Sequence, residues 1–129
     1  MKIKQVSVFV ENQPGRLVAM LEALRASDIN IGALSIAEGS DFGILRMILS
    51  DPRKGVDTLR DAGFTARETT VIKREMPDTP GGLLDTVAPL AEAGINVEYF
   101  YAFLDPTPGK AVIVFKVSDP DRAEEVLGA

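Results

Sequence analysis

An internal repeat constrains this chain more than any other feature. Residues 12–17 read Asn-Gln-Pro-Gly-Arg-Leu, and residues 78–83 read Asp-Thr-Pro-Gly-Gly-Leu, a step of 66 from Pro14 to Pro80. The same step carries Ile29-Asn30-Ile31 onto Ile95-Asn96-Val97, and Leu17, Leu21 and Leu24 onto Leu83, Val87 and Leu90. Ser50-Asp51-Pro52 returns as Ser118-Asp119-Pro120 after 68 residues, the two extra fitting a longer loop at Asp105–Gly109. Ordered self-similarity of this kind means a duplicated structural unit. Two copies can also place two equivalent sites about a pseudo-twofold axis.

With 129 residues, each half is near the size at which a single core is marginal, so the halves are expected to share buried surface. A hydrophobic content of 46% fits a globular chain and argues against disorder. No apolar run reaches the length of a membrane span, and residues 1–6 lack the apolar stretch of a signal peptide. The expected location is the cytoplasm, with no membrane partner. Cysteine and histidine are both absent, which removes disulfides, thiolate nucleophiles, imidazole bases and the common zinc ligand sets. No metal, cofactor or catalytic residue is expected. Net charge is −5 and the basic residues form no run, so a nucleic-acid backbone is not an expected partner.

Along the chain, residues 2–11 alternate with a slip near Gln5 and predict a strand. Pro14-Gly15 turns the chain into a helix over 15–27, closed at Asp28, whose equivalent is Gly94; both types tolerate the left-handed conformation. Strands follow at 29–37 and 42–50. A second helix starts at Pro52 behind Ser50 or Asp51 as cap and runs to Gly63. Residues 65–76 alternate but are polar. The second half repeats the plan with a helix at 81–93, strands at 95–104 and 110–118, and a helix at 120–127. Pro89 should remove a hydrogen bond and bend its helix.

The strand count is informative. Each half reads strand–helix–strand–strand–helix and needs a fourth strand to complete a split βαβ unit. One stretch, 65–76, serves both halves, and nothing follows the last helix. The economical solution shares two long strands. Residues 65–70 finish the first unit while 71–76 begin the second; residues 2–5 finish the second while 6–10 begin the first. The expected fold class is therefore α+β: two ferredoxin-like βαββαβ units in tandem, at 1–68 and 69–129, with residues 2–5 completing the second. The alternative is a second unit lacking its fourth strand.

The Pro-Gly loops are the candidate chemistry. Pro-Gly opening a helix leaves backbone N–H groups at a positive helix end, a seat for a carboxylate. Glycine there lets a ligand approach the backbone. Asn30 and Asn96 each offer a donor and an acceptor, and Asp78 offers acceptors to an ammonium. Plainer roles stay open: a turn and helix start for Pro-Gly, backbone partners for the asparagines, a turn or cap for Asn12 and Asp78. The run Tyr99-Phe100-Tyr101-Ala102-Phe103 is either core and subunit interface or, through a tyrosine, the wall of a side-chain pocket.

The pattern Val8-Phe9-Val10-Glu11-Asn12-Gln13-Pro14-Gly15-Arg16-Leu17 with Ile29-Asn30-Ile31 resembles the ACT domain. So does Glu75-Met76-Pro77-Asp78-Thr79-Pro80-Gly81-Gly82-Leu83 with Gly94-Ile95-Asn96-Val97. ACT domains are small regulatory modules that bind amino acids between neighbouring modules, using the loop after the first strand and the start of the second. The resemblance implies ligand contacts at Asn12, Gln13, Pro14, Gly15, Arg16, Asn30 and Ile31. In the second copy it implies Asp78, Thr79, Pro80, Gly81, Gly82, Asn96 and Val97. Arg16 facing Gly82 across the repeat makes the two loops unequal. The implied function is a non-enzymatic, amino-acid-binding regulatory protein, expected as a homodimer paired through an edge strand. The alternatives are a non-catalytic subunit with an enzyme partner in amino-acid biosynthesis and, against the missing histidine and cysteine, an enzyme on a ferredoxin-like scaffold.

Overall fold

The computed structural model describes residues 1–104 and 107–128. Among them the order is β1 (Lys2–Glu11), α1 (Arg16–Ala26), β2 (Ile31–Ala37), β3 (Phe42–Leu49), α2 (Pro52–Asp61), β4 (Thr65–Pro77), α3 (Gly82–Glu92), β5 (Val97–Ala102), β6 (Lys110–Val117) and α4 (Pro120–Leu127). This is a mixed α/β fold of antiparallel strands and four helices, the tandem ferredoxin-like arrangement that the repeat predicts. The expected hairpin tip at 105–109 falls partly on residues 105 and 106, outside the described residues.

The chain divides into two compact units. The first is Lys4–Thr69; the second joins Met1–Ile3 to the chain from Thr70 onward. Strands β1 and β4 are thus each divided between units. Strand order is β2-β3-β1-β4 in the first unit and β1-β4-β6-β5 in the second. The polarity of β4 follows from this division. Ala66 belongs to the first core, Ile72 and Met76 belong to the second, and Arg67-Glu68-Thr69-Thr70 lie between.

In the first unit Val6 and Val8 of β1 stand opposite Met47 and Leu45 of β3. Met20 and Leu24 of α1 and Val56 and Leu59 of α2 cover that face. The register is unbroken from Val6 to Glu11. The slip suggested at Gln5 reflects burial of the strand on both sides, because Gln5 and Ser7 are buried and joined by a 3.1 Å hydrogen bond from Gln5 Nε2 to Ser7 Oγ. In the second unit Ile72 of β4 faces Phe115 of β6, and Leu90, Ala123 and Leu127 close the core.

The repeated motifs make the same local devices twice. Asp28 (φ 58°) and Gly94 (φ 75°) take the left-handed conformation, and the next amide donates to Leu24 O at 3.0 Å or Leu90 O at 2.9 Å. Asp51 and Asp119 cap α2 and α4, accepting from Lys54 N and Arg122 N at 3.1 Å each, with proline in the first turn. Asn30 N donates to Ser50 Oγ at 2.9 Å, and Ser50 N returns a bond to Asn30 O at 2.9 Å. Asn96 and Ser118 repeat this pair at 3.0 Å in both directions. Both strands that follow start two residues later than their apolar pattern suggests, beyond these paired asparagines. Helix α3 runs through Pro89 without interruption.

The start of the chain completes the second unit. Met1 N donates to Lys73 O at 3.1 Å, and Lys73 N donates to Met1 O at 2.8 Å. Lys2 N donates to Glu124 Oε2 at 2.9 Å. The Lys2 ammonium donates to Asp121, and that bond raises its pKa above the usual lysine value.

Candidate functional site

Both β–α loops use one backbone solution. Gly15 (φ 87°) and Gly81 (φ 82°) stand at the helix N-cap in the left-handed region, where a side chain is strained. The turn closes by Arg16 N donating to Gln13 O at 3.3 Å and by Gly82 N donating to Thr79 O at 3.0 Å. Ala19 N and Asp85 N then donate to Gly15 O and Gly81 O at 3.0 and 2.9 Å, starting each helix. Neither helix has a capping side chain. Its first-turn amides therefore form a positive end without a side-chain acceptor.

In the first unit the loop docks onto the β2–β3 turn. Asn12 N donates to Asp41 O at 2.8 Å, and Asn12 Nδ2 donates to Gly39 O at 3.3 Å. A Cβ at Gly39 would run into the Phe42 carbonyl oxygen, so the turn needs glycine. Between loop and turn lies a cleft of about 550 Å³, lined by Val10, Glu11, Asn12, Gln13, Leu17, Ile36, Glu38, Gly39 and Gly43. Its size is that of a small-molecule site.

Of the residues expected from sequence, Asn12 and Gln13 line this cleft. Pro14 and Gly15 shape the exposed turn behind it. Arg16 is held elsewhere: its guanidinium lies 4.9 Å from the centre of the Phe64 ring, with Nε 3.3 Å from Glu11 Oε1 as an ion pair without hydrogen-bond alignment. Asn30 and Ile31 are not in the cleft. They line a second hollow, of about 460 Å³, with Leu21, Arg25 and Asp28 at the far end of α1. An 11-residue helix is about 16 Å long, so one small ligand in a single unit cannot touch both Asn12 and Asn30. Glu38, Gly39, Gly43 and Ile36 were not candidates from sequence. Their hairpin signal announced a turn, and the paired glycines 39 and 43 were the available hint of a close approach.

In the second unit Asp78, Thr79 and Pro80 form an exposed loop, with Asp78 N donating to Gly109 O at 3.1 Å as Asn12 N does to Asp41 O. Gly82 is buried, and a Cβ there would strike the Pro77 carbonyl oxygen. In this backbone an arginine equivalent to Arg16 would not fit. Asn96 is exposed beyond the end of α3, and Val97 packs against the second core. Tyr99 and Tyr101 stack with ring centres 6.5 Å apart, and Lys73 Nζ lies 4.7 Å from the centre of the Phe103 ring. Among the described residues no group of three or more acidic side chains is placed to hold a metal, and no helix is long and apolar enough to cross a membrane.

Two βαββαβ units, each opening its first helix on a glycine-capped loop, define a tandem ferredoxin-like protein. The family model of the ACT domain pair matches residues 1–128, and the chain belongs to that family. No curated protein matches the sequence. A solved structure of a protein from Bacteroides thetaiotaomicron is similar at 41% identity and TM-score 0.93, covering 99% of this chain and 88% of that one. The ligand-free regulatory subunit of aspartate kinase from Thermus thermophilus is similar at 12% identity and TM-score 0.68, covering 99% and 93%. Its Thermus flavus counterpart is similar at 14% identity and TM-score 0.65, covering 99% and 94%. At these identities the two kinase subunits share architecture.

Proposed function

We propose that the chain is a non-catalytic regulatory protein of the cytoplasm that binds an amino acid and signals by a change of module arrangement or of partner. The observation that carries this reading is the cleft between the β1–α1 loop and the β2–β3 turn. It brings acidic and amide acceptors, fit for an ammonium, beside the first turn of α1, whose Leu17 lines it. Two modules, 1–68 and 69–129 with residues 2–5 completing the second, each contribute such a loop. Asn30 and Asn96 lie at the far helix ends, so their part in binding is to meet a ligand held by the loop of another copy, in a homodimer. The ligand then acts by favouring the arrangement it binds best.

The test is a melting-temperature panel of the twenty amino acids at millimolar concentration. A ligand bound only to the folded state raises stability by an amount set by its concentration over Kd. We expect one chemical class to raise Tm, and Asn30→Ala or Asn96→Ala to remove the shift. No shift with any amino acid sinks this reading.

A second reading is a non-catalytic subunit of an amino-acid biosynthetic enzyme. It is favoured by edge strand β2, Ile31-Gly32-Ala33-Leu34-Ser35-Ile36-Ala37, which carries no charge and leaves Leu34 and Ile36 exposed. Regulatory subunits of aspartate kinase share this architecture. Co-purification with an enzyme, and a ligand response seen only in that complex, would separate the two readings.

A further inference from the structure

We propose that the first-unit cleft selects amino acids with a neutral aliphatic side chain, and that Glu38 fixes this choice. The inference deepens the amino-acid-binding reading and rests on it.

The polar half of the cleft is built to accept hydrogen bonds. Asn12 donates one of its two amide hydrogens to Gly39 O and offers Oδ1 as an acceptor, and the Gln13 carboxamide lines the same cleft. Glu11 and Glu38 bring carboxylates, and no lysine or arginine stands among the lining residues. Glu11 is already paired with Arg16 at 3.3 Å, whereas Glu38 stands exposed on the opposite rim. An ammonium at Glu38 and Asn12 Oδ1 gains charge-assisted bonds. A second carboxylate on the ligand meets like charge, with a penalty that grows as water is excluded. The α-carboxylate is then directed away from Glu38, toward the first turn of α1, whose Leu17 enters the cleft wall.

The other half is apolar. Val10 is buried, while Leu17 and Ile36 are 41% and 59% exposed on the same cleft. Large aliphatic groups left in water beside a hollow gain by being covered, and an aliphatic side chain covers them. A lysine side chain would carry its charge onto that wall, and an aspartate or glutamate side chain would add to the negative rim.

The experiment is an NMR titration of ¹⁵N-labelled full chain with leucine, valine, lysine, aspartate and glutamate, following the amides of Gly39 and Gly43. Leucine or valine is expected to move both amides. Aspartate, glutamate and lysine are expected to bind there at least about tenfold more weakly. Glu38→Gln, an exposed and nearly isosteric change, is expected to weaken leucine binding about tenfold while leaving Tm unchanged. The proposal is overturned if an acidic amino acid or lysine binds the cleft as tightly as leucine and valine, or if Glu38→Gln leaves leucine affinity intact. Leucine shifts confined to other amides overturn it too, and leave amino-acid binding by the protein standing. Absence of binding by all twenty amino acids overturns both.

Discussion

The two β–α loops share a backbone and differ in chemistry. Gly15 and Gly81 differ by 5° in φ, and each is followed by a helix without a capping side chain. Yet Asn12 faces Asp78 across the repeat, and Arg16 faces Gly82. The comparison separates two kinds of residue. Those that the turn requires recur in both copies, because a left-handed φ or a reciprocal serine–asparagine pair has few chemical solutions. Those that only border the loop are free to diverge. Position 82 adds a twist: the Pro77 carbonyl leaves no room for a Cβ there, so packing alone is enough to require glycine in this backbone.

The largest test of this equivalence lies in the cores. Leu24 and Leu90 are repeat partners, 1% and 0% exposed. Leu24→Ala and Leu90→Ala should each cost about 2–5 kcal/mol in urea unfolding. A much smaller loss at one position would show that its unit collapses around the cavity, and the two cores would no longer count as equivalent. Next comes the loop exchange. Gly82→Arg should cost about 2 kcal/mol or more, because the obstructing atom is backbone and no rotamer relieves it. Arg16→Gly should cost about 1 kcal/mol, from the lost stacking on Phe64 and a glycine at a helix start. Equal costs would break the claim that position 82 is sterically locked. The smallest effects are at the caps. Asp51→Ala and Asp119→Ala should each cost about 1 kcal/mol and by similar amounts, read from the same unfolding curves.

Much of the fold was legible because local rules and the repeat agreed. Pro-Gly, the helix-ending Asp28 and Gly94, and the Asp-Pro caps each have a short-range physical cause, and two copies in register removed most ambiguity. Helix α4 matches its expected span, 120–127. What local rules could not supply was partnership at a distance. Ser50 and Asn30 were both visible as repeated letters, but their mutual bonds join residues 20 apart. The candidate site divides the same way. Asn12 and Gln13 were readable from the loop itself. Glu38, Gly39 and Gly43 reach the cleft only because β2 and β3 fold back beside β1, and a hairpin turn carries no sign in sequence of what docks against it. Arg16 looked like a free cation beside the helix start, and its removal to Phe64 depended on a residue 48 positions away, beyond any local pattern.

The divided strands β1 and β4 have a consequence for how this chain comes into being. The first unit is one continuous stretch, Lys4–Thr69, and holds all its strands by the time residue 69 has been made. The second unit is discontinuous: Met1–Ile3 must be joined to the part of β4 that begins at Thr70, 67 residues after Ile3. Closing that long loop carries an entropic cost; the first unit meets a similar closure, of β1 onto the Thr65–Thr69 part of β4, but can complete it sooner. On a ribosome, most of β1 would therefore be committed early, while Met1–Ile3 wait for Lys73 to arrive. Damage confined to those three residues would appear as a fault in the second unit, which is made after the first.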